Sequence, residues 1–387
     1  VRGKLPKNIL VAAHVSKIYG PVQALVGYLK TRNASFHFIS LPFSYAGMPS
    51  ALLEKFESGR LVELRRGHAA RGFDPWLWIR DFLFVLWQGW RASSDGPIDL
   101  FVGVDNLNAS AGILLKRLGR VNKVCFYVID YSTARFENPL LNFVYQAMDR
   151  FAVSGADSVW NLSERMRAVR RKQGLEERRN TLVPVGVELE EIRHPRRGQV
   201  KRRHLLYMGA LQAGKGIELL IEAFAGIKKH VPKAELHIVG YGPFEGEARR
   251  LASKSPAKGA IKIPGGMNHA ELFKKIPAFG VAFAPYLDDP GSYTWWSDPT
   301  KPKEYLACGL PLIITKVPWI WERIADTKRP MGIAIDYDLD QLTAAAVKLL
   351  SDERFYWRCR KNALEFASGL SWSSIYDKAF GSLCALC

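Results

Sequence analysis

The chain is poor in acid, sparing with cysteine, and free of any long apolar run. Its 387 residues hold 37 Asp or Glu against 55 Lys or Arg, a formal charge of +18. The five cysteines are scattered as Cys125, Cys308, Cys359, Cys384 and Cys387. Such usage fits a reducing cytoplasm better than an oxidising compartment. The first three lie in apolar or helical surroundings and read as buried thiols. Cys384 and Cys387 make a single CxxC with no second pair to complete a tetrahedral site, so no metal is expected. No run reaches the roughly eighteen apolar residues of a spanning helix, and no signal peptide is visible. Recognition-helix, RNA-binding-aromatic and zinc-finger patterns are missing too, so the charge is not read as sequence-specific nucleic-acid binding.

What is present is ample core material, 48% hydrophobic and 12% aromatic, enough for two packed domains. The excess charge favours anionic lipid or phosphorylated ligands. It is densest at "RMRAVRRKQGLEERR" (165–179) and "RHPRRGQVKRR" (193–203), where solvated helix faces and a solvated linker account for part of it. Short apolar runs alternate with amphipathic stretches almost throughout. The first half offers strands at 8–13, 36–41, 98–104, 123–129, 156–163 and 181–185, with a helix from Pro21 to about Lys30. After the basic passage the series restarts with "HLLYMGA", "AELHIVG", "AIKIPG", "GVAFAPY", "LPLIIT" and "MGIAI", and the end is helical. Near-continuous apolar strands with helices between them imply parallel sheets covered on both faces. The expected architecture is α/β, two doubly wound Rossmann-like domains facing across a cleft. Their expected extents are 1–192 and 204–367, with a linker at 193–203 and a C-terminal helix (368–387) crossing back to the first domain.

Ligands in such sheets bind beyond the carboxyl ends of the strands. There the second half carries "GALQAGKGIELL", with Gly209 and Lys215, then "GYGP", with Gly240, Tyr241 and Gly242, then "PGGMNH", with Gly266. Glycine loops ahead of helices let backbone N–H groups approach an anion. Three at successive strand ends point to one ligand lying across them. The stretch "SDPTKPKEYLACGLPLIIT" (297–315) supplies the fourth side. A helix starting near Asp298–Pro299 would aim its positive end at the cleft. Lys301 would add charge for a phosphate, and Glu304 is a suitable acceptor for ribose hydroxyls. The alternative is a merely exposed face in which Lys301, Lys303 and Glu304 pair with one another.

In order, "GALQAGKG", "HIVGYGP" and "DPTKPKEYLACGLPLI" resemble the nucleotide-binding half of GT-B glycosyltransferases, in particular the retaining family-4 type (glycosyl transferases group 1). "PVGVE" (184–188) is similar to the turn closing their first domain, and "SWSSIYDKAF" to their crossover helix. The resemblance implies transfer of a hexosyl group from a nucleoside-diphosphate sugar, a UDP- or GDP-sugar, to an acceptor hydroxyl. It implies no metal and no separate cofactor. Lys215 would contact the diphosphate and Glu304 the ribose; Gly209, Gly240 and Gly242 would line the nucleotide side, and Gly20 would lie near the donor. In a retaining reaction the leaving diphosphate takes the acceptor proton while Lys215, Lys301 and helix N-termini neutralise it, each donor lowering the barrier by roughly 3 kcal/mol.

Three positions depart from the family pattern. Trp296 stands where a glutamate usually holds the donor sugar, which shifts sugar recognition toward Asp298 and its backbone. Ala210 stands where an arginine usually assists the loop lysine, and Lys301 would restore that charge. Ile129 stands where many members have a histidine, leaving Asp130 beside it. Asp130, with Tyr131 and Arg135, is the candidate for the acceptor side, orienting the attacking hydroxyl; the alternative is an aspartate capping its own loop. His14, ending the first strand, is either a catalytic base of the inverting kind or a satisfied buried histidine. The segment 65–91 mixes arginines with Trp76, Trp78, Phe82, Phe84, Trp87 and Trp90. It reads as an interfacial segment resting on anionic lipid, with an aromatic core helix as the alternative. The expected acceptor is thus a glycan or lipid-linked molecule at the inner face of the membrane. Rival readings are a GT-B-like nucleotide-sugar binder without activity and a nucleotide-sugar epimerase on the same fold.

Overall fold

The computed structural model describes residues 5–16, 19–43, 48–69, 74–190, 192–288 and 293–384. The chain divides into two compact units, one of residues 1–185 with 372–387 and one of residues 186–371.

The first unit carries an eight-stranded sheet of β1 (Ile9–Val15), β2 (Phe36–Pro42), β3 (Ser50–Glu57), β4 (Arg60–Ala69), β5 (Ile98–Val104), β6 (Val121–Val128), β7 (Ser158–Asn161) and β8 (Asn180–Leu182). Its order is β4-β3-β2-β1-β5-β6-β7-β8. Helices α1 (Pro21–Thr31), α2 (Asp74–Ala92), α3 (Asn106–Arg117), α4 (Pro139–Gly155) and α5 (Glu164–Lys172) accompany it. The central strands are parallel. Ile9 to Ala13 are fully buried, as expected of strands covered on both faces. Chain order reverses between β1 and β5, and the carboxyl ends of these two strands flank the switch point where such sheets open a crevice.

β3 and β4 differ from the sequence reading, which had no strands there. They form an antiparallel hairpin that extends the sheet from β2. Ser58 and Gly59 turn it, both in the left-handed region with φ of 48° and 76°, the conformation of a two-residue hairpin turn. The segment 65–91 is therefore not a single interfacial element. Its first residues close β4, its last form α2, and 70–73 lie outside the described residues.

The second unit holds a six-stranded parallel sheet in the order β11-β10-β9-β12-β13-β14. Its strands are β9 (Lys201–Met208), β10 (Glu235–Val239), β11 (Ile261–Gly265), β12 (Phe279–Ala284), β13 (Leu312–Thr315) and β14 (Gly332–Ile335). Between and after them run α6 (Ile217–His230), α7 (Glu245–Lys254), α8 (His269–Lys275), α9 (Tyr293–Trp296), α10 (Thr300–Ala307), α11 (Trp321–Ile324), α12 (Leu339–Ser351) and α13 (Glu353–Ala367). This is the doubly wound order, and its switch point falls between β9 and β12.

Residues 201–203, read from sequence as the end of a linker, begin β9. The division between units falls earlier, after Val185. Val187 donates its N–H to the Leu370 carbonyl at 2.9 Å, so the segment entering the second unit is hydrogen-bonded to the one leaving it. The last helix, α14 (Trp372–Cys384), belongs to the first unit. There Tyr376 donates to the Pro21 carbonyl at 2.6 Å, and Asp377 accepts from Tyr28 at 2.7 Å and pairs with Arg32. Cys125, Cys308 and Cys359 are buried thiols; Cys387, half of the CxxC, lies outside the described residues.

Candidate functional site

Each unit gathers chemistry at its own switch point. In the second unit the loops after β9, β10 and β11 are laced together by backbone hydrogen bonds. Gly209 donates to Val239 at 2.9 Å, Leu211 to Tyr241 at 3.0 Å, and Gly240 to Gly265 at 3.0 Å. The glycines are needed for this closeness. Gly240 has φ of 154°, and a Cβ on it would overlap the Gly209 carbonyl oxygen. Tyr241 is exposed, and its ring lies against Gly266. Gly242 packs in the same way on the Leu211 carbonyl.

At the carboxyl ends of β9 and β12 is a small recess, part of it open to solvent. Lys215 and Lys301 both line it, with Tyr207, Phe283, Pro285 and Tyr305 among its walls. Lys215 comes from the loop ahead of α6, whose N-cap is Gly216 with φ of 73°. Lys301 comes from the first turn of α10, and its Nζ occupies the space that a Cβ on Gly209 would need. Burial and then the nearby Lys215 charge push its pKa down to about 8, with Glu304 pulling the other way. Two lysines brought together in a half-enclosed recess repel each other, and an anion between them would relieve that repulsion. The N-terminus of the fourteen-residue α6 adds its own positive end.

The helix that carries Lys301 is anchored from behind. The Tyr305 hydroxyl, fully buried, accepts the Met208 N–H at 2.6 Å and so ties α10 to the end of β9. Pro299 is the N-cap of α10 rather than its first helical residue, and no side chain caps the helix.

Lys303 differs from the exposed face considered from sequence. It is 1% exposed and forms a buried ion pair with Asp298. The other Asp298 oxygen accepts from Trp319 Nε1 at 2.9 Å. Asp298, 4% exposed, is thereby held inside the domain. Glu304 and Trp296 are half-buried. Tyr305 and Trp319 had no role in the sequence reading. Tyr305 is the more legible of the two, as an aromatic hydroxyl on a helix that must bury one face.

The first unit assembles a different group. His14, at the end of β1, places Nδ1 2.7 Å from Asp105 and Nε2 3.3 Å from Asp81. His68 Nε2 meets the other Asp81 oxygen at 2.6 Å. Asp105 follows β5, caps α3 by accepting the Asn108 N–H at 2.9 Å, and has φ of 89°. That is a strained value for a residue with a side chain. Burial would lower the His14 pKa, but Asp105 first and Asp81 second outweigh it and raise it to about 10. Asp81 is fully buried. Burial would raise its pKa, yet the hydrogen bonds to His14 and His68 hold it below the usual carboxylate range. His14 is thus an imidazolium clamped between two carboxylates at neutral pH. The sequence reading missed Asp81, Asp105 and His68. Asp81 did leave a signal, because it sits among Leu77, Phe84 and Val85 on the apolar stripe of α2.

The remaining candidates lie elsewhere in the first unit. Asp130 and Arg135, in the loop after β6, are paired at 2.9 Å and half exposed. Tyr131 is buried, its ring 4.9 Å from the Arg170 guanidinium carbon. Gly20 caps α1 and donates its N–H to Gln23 at 3.0 Å.

Comparison with known proteins fits this picture. Residues 189–366 match the family model described as glycosyl transferases group 1. HepE of Anabaena, solved in complex with UDP, is similar in structure at a TM-score of 0.69 and 13% identity, covering 98% of this chain and 100% of that one. Sucrose-phosphate synthase of Thermosynechococcus elongatus gives 0.67 and 19%, covering 98% of each. WaaG, a glycosyltransferase involved in lipopolysaccharide biosynthesis, gives 0.62 and 17%, covering 96% of this chain and 98% of that one. A search of curated protein sequences finds no match. The likeness to glycosyl transferases group 1 thus lies in residues 189–366, within a chain that has the fold of the GT-B glycosyltransferases.

Proposed function

We propose that the protein transfers a hexosyl group from a nucleoside-diphosphate sugar to an acceptor hydroxyl, with retention and without a metal. The observation that carries this reading is the Lys215–Lys301 pair in one recess at the carboxyl ends of β9 and β12, with Lys301 packed on Gly209 of the first glycine loop. A diphosphate is the anion that suits two lysines and a helix N-terminus together. HepE, similar over nearly the whole chain, has been solved with UDP and with UDP-glucose. Gly209, Gly240, Tyr241, Gly242 and Gly266 would bound the nucleotide, and Glu304 would accept from the ribose. The bond from the sugar C1 to the diphosphate oxygen breaks as the acceptor oxygen bonds to C1. The acceptor's proton passes to the departing diphosphate.

The state of His14 supports retention over inversion. A histidine that keeps its proton to about pH 10 is a poor base at neutral pH. It supplies fixed positive charge instead. Asp130, paired with Arg135, would orient the acceptor hydroxyl.

A lipid-linked or membrane-proximal glycan is the acceptor class we favour, with the protein cytoplasmic and peripheral on the inner face. Among the described residues no helix is long and apolar enough to cross a membrane. However, Trp76, Ile79, Leu83, Trp87 and Trp90 are all exposed along α2. Their spacing of three and four residues makes one apolar stripe, and Arg80 and Arg91 are exposed on the same helix. Such a face suits the interfacial layer of an anionic bilayer.

Trp296 and Ala210 favour a second reading, in which the protein binds a nucleotide sugar and does not transfer it. One experiment separates the two. UDP, GDP, ADP and their sugar conjugates are screened without metal for thermal stabilisation, and each stabilising sugar nucleotide is then tested for turnover. Ligand at 100 times its Kd should add about 2.7 kcal/mol of stability. Stabilisation and turnover that Glu304→Ala both abolishes would support transfer. Stabilisation without turnover on any glycan or lipid-linked acceptor would favour the binder, and no stabilisation at all would overturn the donor site.

A further inference from the structure

At the opposite end of the same sheet, three potential ligands converge. His204 on β9 stands beside Glu235 on β10 in the parallel register, and His237 lies two residues further along β10. The alternation of a strand therefore puts all three on one face. Their ligand atoms lie within 4.8 Å of one another. His204 Nδ1 is 3.9 Å and His237 Nε2 3.3 Å from the same oxygen, Glu235 Oε2. His237 Nε2 is buried and faces the Glu235 carboxylate. Phe279, the first residue of β12, packs edge-on against both imidazoles, at 6.2 Å and 5.0 Å between centroids.

We propose that His204, Glu235 and His237 form a binding site for a divalent transition-metal ion of the zinc class, with water completing its coordination. Two imidazoles and a carboxylate select zinc-like ions over magnesium or calcium, which prefer all-oxygen sites. One cation is already in place. Lys262 on β11 sits across from His237 in the register, and its Nζ lies 2.6 Å from Glu235 Oε2. The ammonium neutralises the carboxylate that the metal would use, so binding requires Lys262 to swing outward. At 51% exposure its side chain has room to do so. The site joins the middle of β9 to the first residues of β10. It lies about four residues, roughly 13 Å of strand, from the end of β9 that borders the Lys215–Lys301 recess. Its role is to brace the sheet, and the transfer reaction does not pass through it.

The test uses the whole chain, stripped with chelator and titrated with Zn²⁺ alone against a chromogenic competitor. One ion per chain is expected, with a rise in Tm. His204→Ala/His237→Ala should weaken binding on the order of a hundredfold or more, and Glu235→Gln less. Lys262→Met should tighten it on the order of tenfold, because the ammonium that competes with the metal for Glu235 is gone. Cys384→Ser/Cys387→Ser should leave it unchanged. Binding that survives the double histidine variant, or that vanishes with the cysteine variant, would overturn the site. So would an absence of binding in both the parent and Lys262→Met. Should the histidine variant fail to fold, Co²⁺ bound to the unaltered chain decides. Weak visible bands of nitrogen and oxygen ligation are expected, and a thiolate-to-cobalt charge-transfer band would assign the ion to cysteine.

Discussion

Lys301 reaches its place because Gly209 has no side chain. The two residues are 92 positions apart (301 − 209), yet the ammonium fills the volume a Cβ on Gly209 would take. Gly209 also has φ of 148°. Gly209→Ala therefore has to move the lysine and strain the backbone together. We expect a stability loss of about 1–3 kcal/mol and weaker nucleotide binding. Adding Lys301→Ala should recover part of the stability and none of the affinity. Denaturation and nucleotide titration of the single and double variants test this, and equal stability in both would sink it.

The depressed pKa of Lys301 makes donor affinity pH-dependent. A diphosphate requires the charged ammonium, so binding should be strongest below pH 8 and weaken as pH rises through about 8. Lys301→Arg stays charged and should flatten the profile. In the unliganded protein the sign is opposite. The unfolded lysine holds its proton up to about 10.5, the folded one only to about 8, so stability contributed at this residue rises with pH between those values.

His14 acts in the other direction. Its folded pKa of about 10 exceeds the unfolded value of about 6.5. Its contribution is complete below about pH 6.5 and lost as pH rises through 10. His14→Asn should lower stability near neutrality and remove this part of the decline. Because the Lys301 and His14 slopes overlap between pH 8 and 10, each is read from its own variant. Urea unfolding at several pH values gives both, and a variant slope equal to the parent's would refute the His14 assignment.

Asp298 is expected to matter for folding first. Asp298→Ala leaves Lys303 charged and buried without its partner, at a cost of about 3–5 kcal/mol. A direct role in holding the donor sugar would instead leave Tm near the parent value and raise the KM for the donor. Thermal unfolding set beside donor kinetics separates the two.

The apolar stripe of α2 should bind vesicles of anionic lipid at low salt. Trp76→Ser/Trp87→Ser should abolish most of the binding without loss of fold, since both side chains are exposed. Arg80→Glu should weaken it further, since each basic residue near the surface contributes about 1 kcal/mol. Co-sedimentation that shows no binding by the parent chain, or equal binding by the variants, would remove the membrane reading.

Much of the architecture was legible from local pattern. Ile9–Val15 and Leu312–Thr315 are apolar at nearly every position, and only a strand covered on both faces buries such runs so cheaply. The glycines at 209, 240 and 242 announce turns before any contact is known, because backbone conformation there is set within a few residues. The hairpin β3–β4 went unread despite its Ser58–Gly59 turn, because β4 lies at the sheet edge with Leu61, Val62 and Leu64 exposed, which blurs its alternation.

Residue types and their spacing along the chain were enough for the order of strands and helices, the glycine loops and the family likeness, since each depends on near neighbours. The protonation state of His14, the burial of Lys303 and the setting of Lys301 required the fold. Asp81 and Asp105 stand 67 and 91 residues from His14, and Trp319 stands 21 from Asp298. A side chain's charge depends on what surrounds it in space, and only the packed sheets bring those partners within a few ångströms.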